Sequence, residues 1–197
     1  MKILVLFGPP GGGKGTQAEK IAQTYGYKHL STGDIFRALS QTDSPLAIKL
    51  KETLGSGKLV SDDLVVEIVT DALKKQLEAE SYFIILDGFP RTIEQYRISQ
   101  SLFEPYDVQY IHVSVDHDEL IKRLLERGKT SNRADDNLET IKLRLDVYHK
   151  ETAPILNELG DNVHTISNDG KGIEEVWFEV QKILGKKPTR HTYRRTV

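Results

Sequence analysis

The chain has 197 residues, 38% of them hydrophobic and 28% charged, which suits one globular core with small appended parts. A formal net charge of -2 argues against generic nucleic-acid binding, and the absence of cysteine excludes disulfides and a cysteine-ligated zinc. The apolar opening is too short for a signal peptide or membrane span and Lys14 interrupts it, so a cytoplasmic, membrane-free protein is expected.

Ile3-Leu4-Val5-Leu6-Phe7 is an apolar run of strand length. It feeds directly into Gly8-Pro9-Pro10-Gly11-Gly12-Gly13-Lys14-Gly15-Thr16. Strand, glycine-rich turn and helical pattern follow one another in the order a phosphate-binding loop requires. The glycines Gly11, Gly12, Gly13 and Gly15 let backbone N–H groups converge on one point, and a helix beginning near Lys14 adds its positive end there. Lys14 supplies a full charge, and Thr16 a hydroxyl suited to an attending Mg2+. Against the general pattern, Gly15 rather than Ser or Thr follows the lysine, and the hydroxyl arrives one place later.

Residues 14–24 read as a helix, with Ala18, Ile21, Ala22 and Tyr25 at helical spacing and Gly26 as a stop. Tyr27 to Leu30 is a short strand, and Thr32 is read as the cap of the next helix. Residues 34–60 are polar and mixed, interrupted by Ser44-Pro45 and Gly55-Ser56-Gly57, and read as a small helical subdomain on two hinges. Ser61 is expected to cap a helix with Asp62 and Asp63 in its first turn and an apolar stripe from Leu64 to Leu77. Tyr82-Phe83-Ile84-Ile85-Leu86 is a strand buried on both faces, ending in Asp87-Gly88-Phe89-Pro90-Arg91. Polar groups at the carboxyl end of such a strand are where open parallel sheets bind ligands.

Val108 to Val115 is a further strand, Leu120, Leu124 and Leu125 mark a helix, and Gly128 to Asn137 is a polar loop. Thr140 to Leu159 is helical, with Pro154 placed to bend it. Val163 to Ser167 is a last strand. Ile173, Val176, Trp177, Val180 and Leu184 mark a last helix, stopped by Gly185. The basic, aperiodic tail of residues 185–197 is expected to be a frayed terminus. Strands alternating with helices imply parallel β-α-β units with right-handed crossovers, an α/β fold.

With these motifs in view the sequence resembles the adenylate kinase family of nucleoside monophosphate kinases, over roughly residues 1–184. Gly8 to Gln17 matches the family's own phosphate loop, in which glycine follows the lysine. Leu30 to Asp34 with Arg37, Gly57 to Asp62, and Asp87 to Thr92 with Gln95 match its monophosphate-binding segments. Arg123, Arg127, Arg133-Ala134-Asp135-Asp136 and Arg144 match its arginine set in order and spacing. The resemblance implies a single domain built on a five-stranded parallel sheet, with a monophosphate-binding subdomain over residues 31–60 and a short lid over 127–138. The short lid implies no zinc. The resemblance also implies a cis peptide at Phe89-Pro90, ATP, AMP and ADP as ligands, Mg2+ with ATP, and a monomer.

Transfer between two nucleotides brings together two highly charged phosphate groups, and their charge must be offset. On the resemblance, Arg37 and Arg91 hold the acceptor phosphate, while Arg123, Arg127, Arg133 and Arg144 gather around the transferring phosphoryl group and the two nucleotides. Guanidinium groups suit phosphate because they bond it in pairs. Thr32, Lys58, Leu59, Val60, Gly88, Phe89, Pro90 and Gln95 would line the AMP site, and Arg123 and Lys171 the donor base. Gln95, with a donor and an acceptor, can pair with the edge of adenine. Asp87 could act as a base or hold Mg2+ through water. A phosphate monoester, with a second pKa of ~6, is mostly ionised at neutral pH and needs no base, which favours the metal role. Asp34 is read as a cap or hinge hydrogen-bond partner. The rival readings are a UMP/CMP kinase, a catalytically silent nucleotide-binding module, and a kinase of hydroxyl compounds using Asp34 or Asp87 as base.

Overall fold

A computed structural model describes residues 1–43, 45–79, 82–130 and 136–185. Five strands form one parallel sheet: β1 (Lys2–Phe7), β2 (Lys28–Ser31), β3 (Phe83–Asp87), β4 (Asp107–Ser114) and β5 (Val163–Ser167), in the order β2-β3-β1-β4-β5. Helices α1 (Lys14–Tyr25), α2 (Thr32–Ser40), α3 (Pro45–Gly55), α4 (Asp62–Glu78), α5 (Ile93–Phe103), α6 (His117–Thr130), α7 (Leu138–Val147), α8 (Ile155–Leu159) and α9 (Ile173–Leu184) flank it. The α/β architecture is the one expected from the sequence.

The central strand explains why a continuous apolar run is needed. Side chains alternate across a strand, so Ile3, Val5 and Phe7 face one layer while Leu4 and Leu6 face the other. The first layer holds Phe36, Leu50, Val65, Val69, Leu73, Phe103 and Ile155 from α2, α3, α4, α5 and α8. The second holds Ala18, Ile21 and Tyr25 of α1 with Val176, Trp177 and Val180 of α9. Each large apolar side chain so buried contributes about 1.5–3 kcal/mol relative to exposure. A third cluster, Leu120 and Leu124 with Ile141 and Leu145, joins α6 to α7.

The strand order positions the site. After β1 the chain runs through α1 to the far edge at β2, and after β3 it runs through α5 to β4 on the other side of β1. The two right-handed crossovers travel in opposite directions, so α1 and α5 cover opposite faces. The adjacent carboxyl ends of β1 and β3 are left open between them, which is where parallel sheets bind ligands. Leu6 stands beside Asp87 in the β1–β3 register, so the glycine loop and the Asp87-Gly88 turn leave the sheet side by side.

Three local expectations are corrected. Ser31, not Thr32, caps α2: its hydroxyl accepts from the Asp34 backbone N–H. Ser61 stands at the cap position of α4 but makes no side-chain capping bond, and Leu77, at the end of that helix's stripe, is exposed. The expected helix over 140–159 is broken before Pro154, where a π-helical turn, Tyr148–Thr152, separates α7 from α8. Proline has no N–H to give and its ring crowds the preceding turn, and that turn widens so that Ala153 N–H donates to Tyr148 O at 2.8 Å. The wide turn brings both Tyr148 and Thr152 into the interior. The expected lid, 127–138, is described on both flanks, but Arg133 within it lies outside the described residues, as does the tail beyond Gly185.

Candidate active site

A cavity of about 740 Å3 opens at the carboxyl ends of β1 and β3. Every site residue expected from the sequence and described in the structure lines it, except Gly12, Thr32, Phe89 and Pro90.

The glycine loop is built by local conformation. Gly13, at the cap position of α1, has φ +89°, and a Cβ there would lie 2.9 Å from Asn168 Nδ2, so a larger residue is excluded twice over. Lys14 folds back and donates its ammonium to the carbonyls of Gly8 and Pro9, at 2.8 and 2.9 Å. Burial lowers its pKa to about 8; Asp87 opposes that shift, and Arg91, Arg144 and Arg127 add to it. Opposite the loop, the amide of Asn168, a buried residue, donates to the Gly12 carbonyl at 3.0 Å. Gly12 is therefore a buried member of the loop's wall.

Asp87 ends β3 close to the first turn of α1: a Cβ on Gly15 would sit 3.8 Å from its Oδ2. Burial pushes its pKa up, but His29, Lys14 and Arg91 more than offset this, so the carboxyl stays below its usual range and ionised at neutral pH. His29 Nε2 lies 3.5 Å from Asp87 Oδ2, and that nitrogen aligns with no hydrogen-bond partner. Among the described residues no group of three or more His, Cys, Asp or Glu could hold a metal. One ionised carboxylate with the Thr16 hydroxyl on the same cavity wall does fit Mg2+, which keeps most of its waters and takes its other ligands from phosphates.

On the β3 side, Arg91 is held from three directions. Its backbone N–H donates to Gln95 Oε1 at 2.7 Å, its Nε donates to the Gly88 carbonyl at 2.8 Å, and its carbonyl accepts from Thr152 Oγ1 at 2.7 Å. The Phe89-Pro90 bond is cis. Gly88 has φ +86°, and a Cβ would come within 2.6 Å of both Thr32 Oγ1 and Arg91 Nη2. Thr32 is turned away from the cavity and gives its hydroxyl to the Gly88 carbonyl at 2.8 Å. Phe89 points into the core, edge-on to Phe103.

The arginines are ordered by carboxylates. Arg127 bonds Asp136 in a two-point pair at 2.6 and 2.7 Å, and Arg144 reaches the same carboxylate at 3.0 Å. The Asp136 side chain is 0% exposed. Arg123 pairs with Glu119 at 3.0 Å and donates to the Asn168 carbonyl at 2.8 Å. Arg37 is paired with Asp34, three residues before it on α2. Lys171 pairs with Glu179 at 2.6 Å at the far end of the cavity. Ile173, the first residue of α9, is 56% exposed and lines the cavity with Lys171.

Sequence reasoning missed four contributors: Asn168, Thr152, Tyr148 and the anchoring role of Asp136. Asp136 stood inside the quoted arginine motif, and its position between two spaced arginines is the signal from which a shared counter-charge could have been read. Asn168 and Thr152 carry no local signal, because their partners lie far away in the chain.

A family model described as adenylate kinase matches residues 6–163. Proteins named adenylate kinase align over nearly their whole lengths. The one from Parabacteroides distasonis is 42% identical over 93% of this chain and 98% of its own. That from Corynebacterium glutamicum is 42% identical over 93% and 99%, and that from Porphyromonas gingivalis 37% identical over 94% and 97%. With the sheet order, the glycine loop and the arginine-lined cavity already in place, this agreement makes the chain a member of the adenylate kinase family.

Proposed function

We propose that the protein catalyses reversible phosphoryl transfer from ATP to AMP, giving two ADP, with Mg2+. The observation that carries this reading is the meeting of two phosphate-type sites in one cavity. Lys14 and the glycine loop leave β1, Arg91 leaves β3, and both open into the same space with Arg37, Arg123, Arg127 and Arg144 around it. A protein that only binds one nucleotide has no need of the second cluster.

In this reading the loop from Gly11 to Thr16 takes the donor phosphates, with Arg123, Lys171, Gly172 and Ile173 toward the donor base. Arg37 and Arg91 take the acceptor phosphate. Lys58, Leu59, Val60 and Gln95 surround the acceptor base. Arg127 and Arg144, fixed by Asp136, face the transferring group. Arg133 is assigned to this set on sequence alone.

Asp87 and Thr16 would hold Mg2+, Asp87 through water. When bound with ATP, that ion neutralises charge on the phosphoryl oxygens. Asp87 is kept ionised, so it cannot act as an acid, and an acceptor phosphate already ionised at neutral pH needs no base. Catalysis on this chain is positioning and charge stabilisation, and no covalent enzyme intermediate is required. Closure of the segment 31–60 and the lid 127–138 would exclude water, which otherwise would take the phosphoryl group.

The test is ADP formation from Mg2+ and ATP with AMP, UMP or CMP added in parallel. Rapid ADP formation with AMP, and little with either pyrimidine nucleotide, is expected. A preference for UMP or CMP, or hydrolysis of ATP indifferent to the added monophosphate, overturns the proposal.

A further inference from the structure

Gln95 is 1% exposed, yet it lines the cavity. Both ends of its amide are engaged by groups that allow one orientation. Its Nε2 donates to Asp62 Oδ1 at 2.8 Å, and its Oε1 accepts from the Arg91 backbone N–H at 2.7 Å. A carboxylate can only accept and a backbone N–H can only donate. Rotating the amide by half a turn would set its oxygen against the carboxylate and its NH2 against the N–H. Two hydrogen bonds would become two repulsions at a side chain that is 1% exposed. Its backbone N–H is also held, by Thr92 Oγ1 at 3.1 Å, so the residue is fixed at its root as well.

A primary amide has two N–H groups and an oxygen with two lone pairs. With the anchors in place, one N–H and one lone pair remain, in a fixed order. We infer that Asp62 is a specificity-determining positioning residue: by locking the amide of Gln95 it selects a 6-aminopurine monophosphate against a 6-oxopurine monophosphate. The two bases differ in the sense of their pairing edge. A 6-aminopurine accepts at N1 and donates from its amino group, whereas a 6-oxopurine donates at N1 and accepts at its oxygen. A glutamine free to turn would serve either, and a locked one serves one. The inference rests on the proposed reading that Gln95 faces the acceptor base. Asp62 itself is not among the residues that line the cavity. It opens α4, directly after the Lys58 to Val60 segment of the cavity wall, so its carboxylate is presented by a helix rather than a loop.

The experiment compares kcat/KM for AMP and for inosine monophosphate in the wild type, Asp62→Asn and Asp62→Glu, with the KM for ATP and the thermal midpoint measured in each. Asparagine can donate as well as accept, so only the Arg91 backbone N–H still favours one orientation and the lock is reduced from two anchors to one. Asp62→Asn is expected to lower the AMP-to-IMP ratio about tenfold, the worth of one hydrogen bond to a charged group. Most of the change should fall on the monophosphate KM, with the KM for ATP within twofold of the wild type. Asp62→Glu should recover part of the ratio. As a check that needs no variant, the Gln95 side-chain N–H donated to Asp62 should be protected from hydrogen exchange in the nucleotide-free protein. An unchanged ratio in Asp62→Asn, or a rapidly exchanging Gln95 amide, overturns the inference. A wild type that makes no ADP from ATP and AMP would instead overturn the proposed function, and the two failures are distinct.

Discussion

The two sides of the cavity hold their cations by opposite means. On the β1 side Lys14 is held by two neutral carbonyls of its own loop, at 2.8 and 2.9 Å. On the α6–α7 side Arg127 and Arg144 are held by a full negative charge, the buried Asp136. Carbonyl dipoles orient the ammonium without cancelling it, and burial leaves it short of counter-charge, as its lowered pKa records. The carboxylate cancels half of the charge it orients, one negative charge against two guanidinium groups. On the proposed function the loop is thus poised to gain a phosphate at once, whereas the arginines are ordered by a partner that a phosphate must outbid.

The comparison breaks most visibly at Lys14. Lys14→Ala should lower kcat/KM by on the order of a thousandfold or more, and Arg91→Ala by roughly a hundredfold to a thousandfold, with unfolding midpoints near the wild type. Near-normal turnover in either would remove that residue from the phosphate machinery. Asp136→Ala probes the other side. It leaves two guanidinium groups without their buried counter-charge and should cost about 3 kcal/mol in urea unfolding. Glu119→Ala, which breaks the part-exposed pair with Arg123, should cost less than about 1 kcal/mol. Equal losses at the two positions would show that burial is not what distinguishes them.

A smaller effect separates the two sides by pH. The Lys14 pKa is depressed, so in the free protein the ammonium loses its proton as pH rises through about 8. Bound phosphate favours the charged form, so affinity falls as pH climbs above that value. The KM for ATP should rise about tenfold per unit above pH 8 in the wild type and stay flatter in Lys14→Arg. The same depression works on stability with the opposite sign. Between pH 8 and the ordinary lysine range the unfolded chain binds more protons, so this group's penalty on folding is relieved as pH rises. A further small change is expected at Thr152→Val, which removes the hydroxyl bonded to the Arg91 carbonyl. A loss of about 1 kcal/mol, read as a few-fold rise in the KM for AMP, is expected.

Much of this molecule was legible before its fold. The apolar runs at Ile3 to Phe7 and Phe83 to Leu86 read as buried strands because a strand covered on both faces has no polar side to show. The glycine loop read as a phosphate site because its chemistry is consecutive in sequence. Its cap, its lysine and its helix are neighbours in the chain. The helix over 140–159 was half legible: proline announced a break but not that the break would be a π-turn carrying two buried residues.

What sequence determined by itself was the inventory: alternating strands and helices, a loop for phosphate, and a set of arginines at family spacing. Tertiary structure decided who holds whom. Asn168 supports Gly12 from 156 residues away, Arg123 reaches the Asn168 carbonyl across 45, and Asp62 fixes Gln95 across 33. Even Thr32, three residues beyond His29, spends its hydroxyl on Gly88 rather than on capping its own helix. The physical reason is that a backbone conformation is set by a residue and its near neighbours, while a buried polar side chain must be satisfied by whatever the packed sheet brings within hydrogen-bonding distance. Partners of that kind are fixed by strand order, which leaves no mark on the local sequence.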